Sequence, residues 1–411
     1  IKVLLQQNTS FLINMKVLRC ILLLALLLNA RVMFSTSVVN QKDSIRISLL
    51  TCAPGDEVYS LFGHTAIRYQ DPQQKLDIVF NYGMFSFKTP NFLWRFIKGE
   101  TDYELGVNSY QDFASEYIYL ERGVNEQILN LTSDEKNKLF QLLQENYRPQ
   151  NRVYRYNYFF DNCATRPRDI IEESINGKIH YQNQISSKSF RDIVHEYTAN
   201  YPWTRFGIDL CLGSQADLPI TLRQEMFAPL YLERSFKSAV IKTNNNYSKK
   251  LILTTQNIIP EREDSITGKA AGVTPWQASL ILFILVTSIT IYGLKKRKSM
   301  WGVDLILFLS AGIIGCILTF LANFSEHPTV SPNYLLFVFH PFHIIALPFT
   351  IYKSIKQQKC LYHILNSVVL TLFILLWALI PQRFDLAVLP LALSLLIRSA
   401  SNYILAYNHN K

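Results

Sequence analysis

Five apolar stretches in the last third of this 411-residue chain restrict its fold more than any other feature. They cover residues 276–294, 303–321, 334–352, 362–380 and 386–406. Each is close to the ~20 residues a helix needs to cross a bilayer. Inside a bilayer every backbone polar group must be satisfied within the protein, so the stretches predict an all-α bundle of about five transmembrane helices. Lys295-Lys-Arg-Lys298 follows the first stretch, and Lys353-Ser-Ile-Lys-Gln-Gln-Lys359 follows the third. Two loops separated by two spans lie on one side of the membrane, and their positive charge makes that side the cytoplasm. The first span then enters from outside, so everything before it is expected outside.

The beginning of the chain agrees with that topology. Lys16 and Arg19 precede a run of nine mostly leucine residues, 20–28, and the small residues Ser35-Thr-Ser37 follow. Charged, apolar, then small is the pattern of an export signal, either cleaved or kept as an anchor helix. Residues 1–37 are therefore an upstream extension and signal, and residues 38–259 are a globular domain of mixed strands and helices. Residues 260–275 form a polar linker, and residues 276–411 are the membrane domain. The net charge of +10 gathers largely between the apolar spans. No basic helix with interleaved base-reading side chains accompanies it, so a nucleic-acid partner is not expected.

Six cysteines occur, at positions 20, 52, 163, 211, 316 and 360, and none falls in a CxxC or Cys/His zinc pattern. No cofactor or metal is implied. Cys52 and Cys211 either pair, as an exported domain permits, or remain two buried thiols. Cys163 is different. It follows Asp161-Asn162, a helix-start signal, and precedes Ala164-Thr-Arg-Pro-Arg-Asp-Ile-Ile171. A helix is expected from Ala164 to about Ser174, entered from an extended aromatic run, Tyr154 to Phe160. The helix dipole and free N–H groups at that position are expected to favour a thiolate.

A nucleophilic cysteine needs a base and a group that orients the base. Among the histidines of the globular domain, His64 has the best frame: it follows Gly63 at the start of an expected strand. Asp71-Pro-Gln-Gln74 has turn chemistry, and Leu76 to Tyr82 reads as the returning strand. A turn centred between Pro72 and Gln73 sets Asn81 opposite His64, on the same face. A one-residue slip substitutes Tyr82 or removes the contact. Arg166 and Arg168, just after the cysteine, are either ion-pair residues or contacts for a phosphate headgroup. His340 and His343 flank Pro341 inside the third apolar stretch. They either bind substrate or hold a helix kink by hydrogen bonding. Asp304, near the cytoplasmic end of the second span, is expected to snorkel or pair, and Arg398 with Asn402 makes the fifth span the least regular of the set. Glycines 207 and 213 and Pro219 are expected to interrupt helices between residues 186 and 240.

The order His64, polar group, Cys163 resembles the circularly permuted papain-like (NlpC-type) hydrolases and acyltransferases, including the lecithin:retinol acyltransferase group. More closely, the chain resembles the Lnb lipoprotein N-acyltransferase family. That resemblance rests on Leu50-Thr-Cys-Ala-Pro-Gly-Asp-Glu-Val-Tyr-Ser-Leu-Phe-Gly-His64, on Phe80-Asn-Tyr-Gly83 with Pro90-Asn-Phe92, on Phe160-Asp-Asn-Cys-Ala-Thr-Arg-Pro-Arg-Asp169, and more loosely on residues 333–343. It implies an α+β permuted papain-like periplasmic domain fused to membrane helices in the cell inner membrane. The implied activity moves an acyl chain from a phospholipid to the α-amino group of a diacylated lipoprotein's N-terminal cysteine. Cys163 would be the nucleophile and His64 the base. Two other expectations stand beside it: a hydrolase using the same residues, either a phospholipase or a peptidoglycan amidase, and a membrane-anchored binding module in which Cys163 is structural.

Overall fold

The computed structural model describes residues 44–85, 90–181, 186–243, 248–261 and 272–409. The expected signal over residues 1–37 and most of the expected linker, residues 262–271, lie outside the described residues.

The globular domain is built on a seven-stranded antiparallel sheet. In chain order its strands are β1 (Arg46–Cys52), β2 (His64–Asp71), β3 (Leu76–Met84), β4 (Asp102–Ser109), β5 (Val124–Leu129), β6 (Val153–Arg155) and, after a second small sheet, β10 (Ile252–Ile259). Their spatial order is β10-β5-β1-β2-β3-β4-β6. The small sheet holds β7 (Lys178–His180), β8 (Val240–Lys242) and β9 (Ser248–Lys250). The helices of this domain are α1 (Phe92–Lys98), α2 (Tyr110–Tyr119), α3 (Ser133–Tyr147), α4 (Thr165–Ser174), α5 (Phe190–Tyr197), α6 (Pro202–Cys211), α7 (Leu222–Glu225) and α8 (Pro229–Ser238).

Alternation along the strands gives the sheet two apolar faces. Leu50, Cys52, Ala66 and Val79 pack beneath Phe113 and Tyr117 of α2. On the other face Tyr69 stacks on Phe140 of α3, with ring centroids 4.0 Å apart, and Phe80 meets the same ring edge-on. Thr132 caps α3: it accepts from the Glu135 N–H, and the Glu135 carboxylate accepts from the Thr132 N–H. The β2–β3 hairpin closes at the pair Asp71–Leu76, and Asp71 Oδ1 accepts the N–H groups of Gln73 and Gln74.

Two local expectations are corrected. Tyr154 to Phe160 is not extended throughout. The strand ends at Arg155, and residues 157–161 turn back because Asn157 Oδ1 accepts the N–H groups of Phe159 and Phe160. Gly207 does not interrupt a helix but lies inside α6; the ~1 kcal/mol a glycine costs there is too small to break an otherwise continuous helix.

The membrane part contains α9 (Pro275–Lys296), α10 (Trp301–Phe324), α11 (Phe342–Ile355), α12 (Leu361–Leu375) and α13 (Val388–His409). Among the described residues, four segments are long and apolar enough to cross a membrane, and α12, with 15 residues, is a shorter apolar helix. The expected third span is broken: a 3-10 turn, Tyr334–Phe337, precedes the separate α11. The two basic loops lie together, as the topology argument requires. Gln357 Nε2 donates to Arg297 O, and the Ser299 and Ser354 hydroxyls are 2.6 Å apart. The globular domain sits on the opposite loops. The N–H groups of Gly213 and Ser214 donate to Thr329 O and Pro332 O, and Arg383 reaches Asp217 and Asp192. Arg398 in α13 is tolerated because it is bound to Asp304 of α10, with Nε 2.6 Å from Oδ1. Thr290 and Asn402 complete that cluster. Among the described residues, Cys52 and Cys211 are separate free thiols.

Candidate active site

Cys163 stands one residue before Ala164, the cap position of α4. The local sequence builds this entry. Asn162 Oδ1 accepts the N–H groups of Ala164 and Thr165 at 2.8 and 2.9 Å, satisfying donors the helix leaves free. The Asn162 amide nitrogen ties the turn to Tyr158 O and Phe227 O. Ile170 and Ile171 of α4 are buried, as the pattern required.

His64 opens β2, and the N–H of Thr65 beside it lies close enough to the Cys163 sulfur to favour its charged form. At the same end of the sheet Gly83 has φ +90°, and a Cβ there would lie 3.4 Å from the Cys163 Cβ. A larger residue at 83 would be strained, with its Cβ in van der Waals contact with Cys163. The Nε2–H of His64 donates to Asn81 Oδ1 at 3.3 Å. A carboxamide oxygen only accepts, so Nε2 carries the proton and Nδ1 is the basic nitrogen.

Asn81 reaches this position in an unexpected way. The observed pairs, Ile67–Phe80 through Asp71–Leu76, are offset by two residues from a turn centred at Pro72–Gln73. Continued one step, the ladder sets Asn81 across from Ala66. An even offset keeps the face, so Asn81 remains a diagonal neighbour of His64 and within reach of its ring.

Burial reverses the electrostatic expectation. Desolvation pushes the Cys163 thiol up to about 11, against smaller lowering effects from the Thr65 N–H, its own N–H and the Arg122 charge. Burial also lowers His64 to about 4, partly offset by the Asn81 bond, with Arg122 acting in the same direction as burial. At neutral pH the pair is thiol and neutral imidazole, not thiolate and imidazolium. Iodoacetamide is therefore expected to alkylate Cys163 about 100-fold more slowly at pH 7 than a cysteine of ordinary pKa. The rate should climb as pH approaches 11. Rapid alkylation at pH 6–7, measured by peptide mass spectrometry, would show an ion pair instead. The base function of His64 should be lost only as pH falls through about 4.

Arg122 carries no sequence signal. It sits just beyond α2, and Nε and Nη2 both donate to Ala53 O, which holds its charge within electrostatic reach of Cys163 and His64. Tyr103 and Tyr156 form a second feature that sequence reading missed. Their rings stack at 4.0 Å, and both lie within electrostatic range of Cys163.

The arginines after the cysteine have internal partners. Arg166 binds Asp161 through two hydrogen bonds and covers the Tyr154 ring. Arg168 is buried, paired to Asp169 and donating to Arg223 O. A phosphate would have to displace these bonds. His343 is buried in the bundle. Its Nε2 donates to Val338 O, and its Nδ1 accepts from the Tyr362 hydroxyl. His340 stacks on it at 3.8 Å. These contacts hold the break in the third apolar segment, where freed backbone groups need partners. Among the described residues, no cluster of three or more His, Cys, Asp or Glu could hold a metal.

Residues 37–200 match the family model described as Lnb N-terminal periplasmic domain, and residues 267–410 match the one described as Lnb transmembrane domain. No curated protein and no solved structure matches the chain.

Proposed function

The chain belongs to the Lnb family, and from that premise we propose that it is an apolipoprotein N-acyltransferase of the inner membrane, working through a thioacyl group on Cys163. The observation that carries this reading is a helix-start thiol beside the Thr65 N–H, one residue along β2 from His64, whose ring bonds Asn81. A helix bearing the thiol packed on an antiparallel sheet bearing the base is a papain-like arrangement with the order of the two reversed.

In the first half-reaction Nδ1 of His64 takes the thiol proton as the sulfur attacks the ester carbonyl of a phospholipid. The oxyanion is met by the Cys163 N–H, fixed in place before the reaction begins. The C–O bond breaks, His64 returns the proton to the departing alkoxide, and lysophospholipid leaves. In the second half-reaction the α-amino group of the lipid-bearing cysteine attacks the thioester. His64 accepts a proton from the amine and delivers it to the thiolate, which leaves as the amide forms. Neutral resting partners suit this cycle, because each proton moves together with the bond that needs it. Both substrates are anchored in a membrane, and the globular domain is seated on the outward loops of the helices.

The test is to trap the intermediate. Full-length protein incubated with phospholipid and no acceptor is expected to carry one hydroxylamine-labile acyl group on the Cys163 peptide, discharged by a diacylated lipopeptide. Steady fatty-acid release without acceptor would make the protein a phospholipase. Absence of any adduct, with activity intact in Cys163→Ala, would remove the cysteine mechanism.

A further inference from the structure

The sequence Phe92-Leu-Trp-Arg-Phe-Ile-Lys98 folds as α1, yet none of its residues is buried. Leu93, Trp94 and Phe96 are 70 %, 53 % and 47 % exposed. Three large apolar side chains in seven residues would be an unusual surface in water. The surroundings of α1 suggest another solvent. The Trp94 ring lies 5.3 Å from Phe320, in the last turns of α10, a helix long and apolar enough to cross a bilayer. Lys98 O accepts the Glu326 N–H at 2.7 Å, just past the end of that helix. His327 Nε2 donates to Phe96 O at 2.7 Å. Gly99, at φ +76°, permits the junction, since a Cβ there would lie 2.8 Å from the His327 nitrogen. α1 is thus clamped at the outer end of a spanning helix, the depth at which tryptophan and short amphipathic helices meet headgroups and upper acyl chains.

From α1 a series of ring contacts leads to the thiol. Phe96 meets Phe92 at 6.2 Å, Phe92 meets Phe85 at 5.9 Å, Phe85 stacks on Tyr103 at 4.9 Å, and Tyr103 stacks on Tyr156 at 4.0 Å. The series ends at Gly83, whose Cβ position is 4.0 Å from the Tyr156 ring and 3.4 Å from the Cys163 Cβ. Aromatic faces present carbon without unmet hydrogen-bonding groups, so an alkyl chain can lie along them while water is kept from the thioester.

We propose that α1 is seated in the outer leaflet and that the rings from Phe96 to Tyr156 form the wall along which the donor's acyl chain reaches Cys163. This rests on the acyl-transfer reading above. The test compares two donors with full-length protein in phosphatidylethanolamine–phosphatidylglycerol nanodiscs: a dipalmitoyl phospholipid and a water-soluble butyryl ester. Leu93→Glu with Phe96→Glu is expected to lower the palmitoyl-to-butyryl ratio of Cys163 thioacylation rates by about tenfold or more, because charge on the seated helix and at the start of the route opposes an alkyl chain. A ratio equal to that of the unmodified protein overturns the route. A benzoylphenylalanine at position 93 is expected to crosslink to lipid on irradiation, in Cys163→Ala protein as well. Failure to capture lipid overturns the seating of α1 whatever the enzyme does. If neither donor labels the unmodified protein, the acyl-transfer reading fails and the route fails with it, while the crosslink still decides where α1 lies.

Discussion

Replacing Cys163 with alanine is expected to abolish N-terminal acylation, a loss of about 10³-fold or more, with the chain still folded and inserted. The side chain is small, so its loss leaves little cavity. What disappears is the only group in the proposed cycle that can hold the acyl chain between donor and acceptor. His64→Ala should cost as much, because the thiol, pushed up to about 11, has almost no thiolate of its own at neutral pH and depends on Nδ1 to take its proton. Asn81→Ala should cost less, since the imidazole survives and only its tautomer and orientation loosen. The measurement is mass spectrometry of lipoproteins from cells relying on each variant. An N-linked acyl chain persisting with Cys163→Ala would rule the mechanism out.

The largest effect on stability is expected in the bundle. Arg398 and Asp304 are each about 1 % exposed and joined by two hydrogen bonds. Arg398→Ala would leave a buried carboxylate with the neutral donors Asn402 and Ser354 bonded to it and no arginine to balance its charge. Breaking one side of such a pair costs about 3–5 kcal/mol, whereas replacing both with apolar residues of similar volume is often neutral. Thermal unfolding in detergent should therefore show a large drop for Arg398→Ala and a substantial recovery for Arg398→Met with Asp304→Leu. A double variant no more stable than the single one would show that the pair does more than neutralise a charge.

Much of this protein could be read locally. Apolar runs mark the membrane segments, and the basic loops give their direction, because both signals lie in consecutive residues. The hairpin of β2 and β3 was legible from Asp71, whose side chain does form the turn. The meeting of His64 and Asn81 tolerated a register wrong by two residues, because side chains alternate with a period of two. An error of one would have turned Asn81 to the opposite face. The break before α11 was signalled by Pro341 between two histidines. Their role in packing became visible only when Tyr362 and the Val338 carbonyl stood beside His343.

The sequence by itself determined the division of the chain into a globular part and apolar spans, an expected side of the membrane for the basic loops, and the residues most worth testing as nucleophile and base. Folding decided the rest. The thiol is held protonated because desolvation sums over everything packed around Cys163, most of it distant in the chain. Arg122, the Tyr103–Tyr156 stack and the junction of α1 with α10 each join segments separated by tens to hundreds of residues. No periodicity records such contacts. They exist because the sheet brings β2, β3 and the start of α4 to one end of the globular domain.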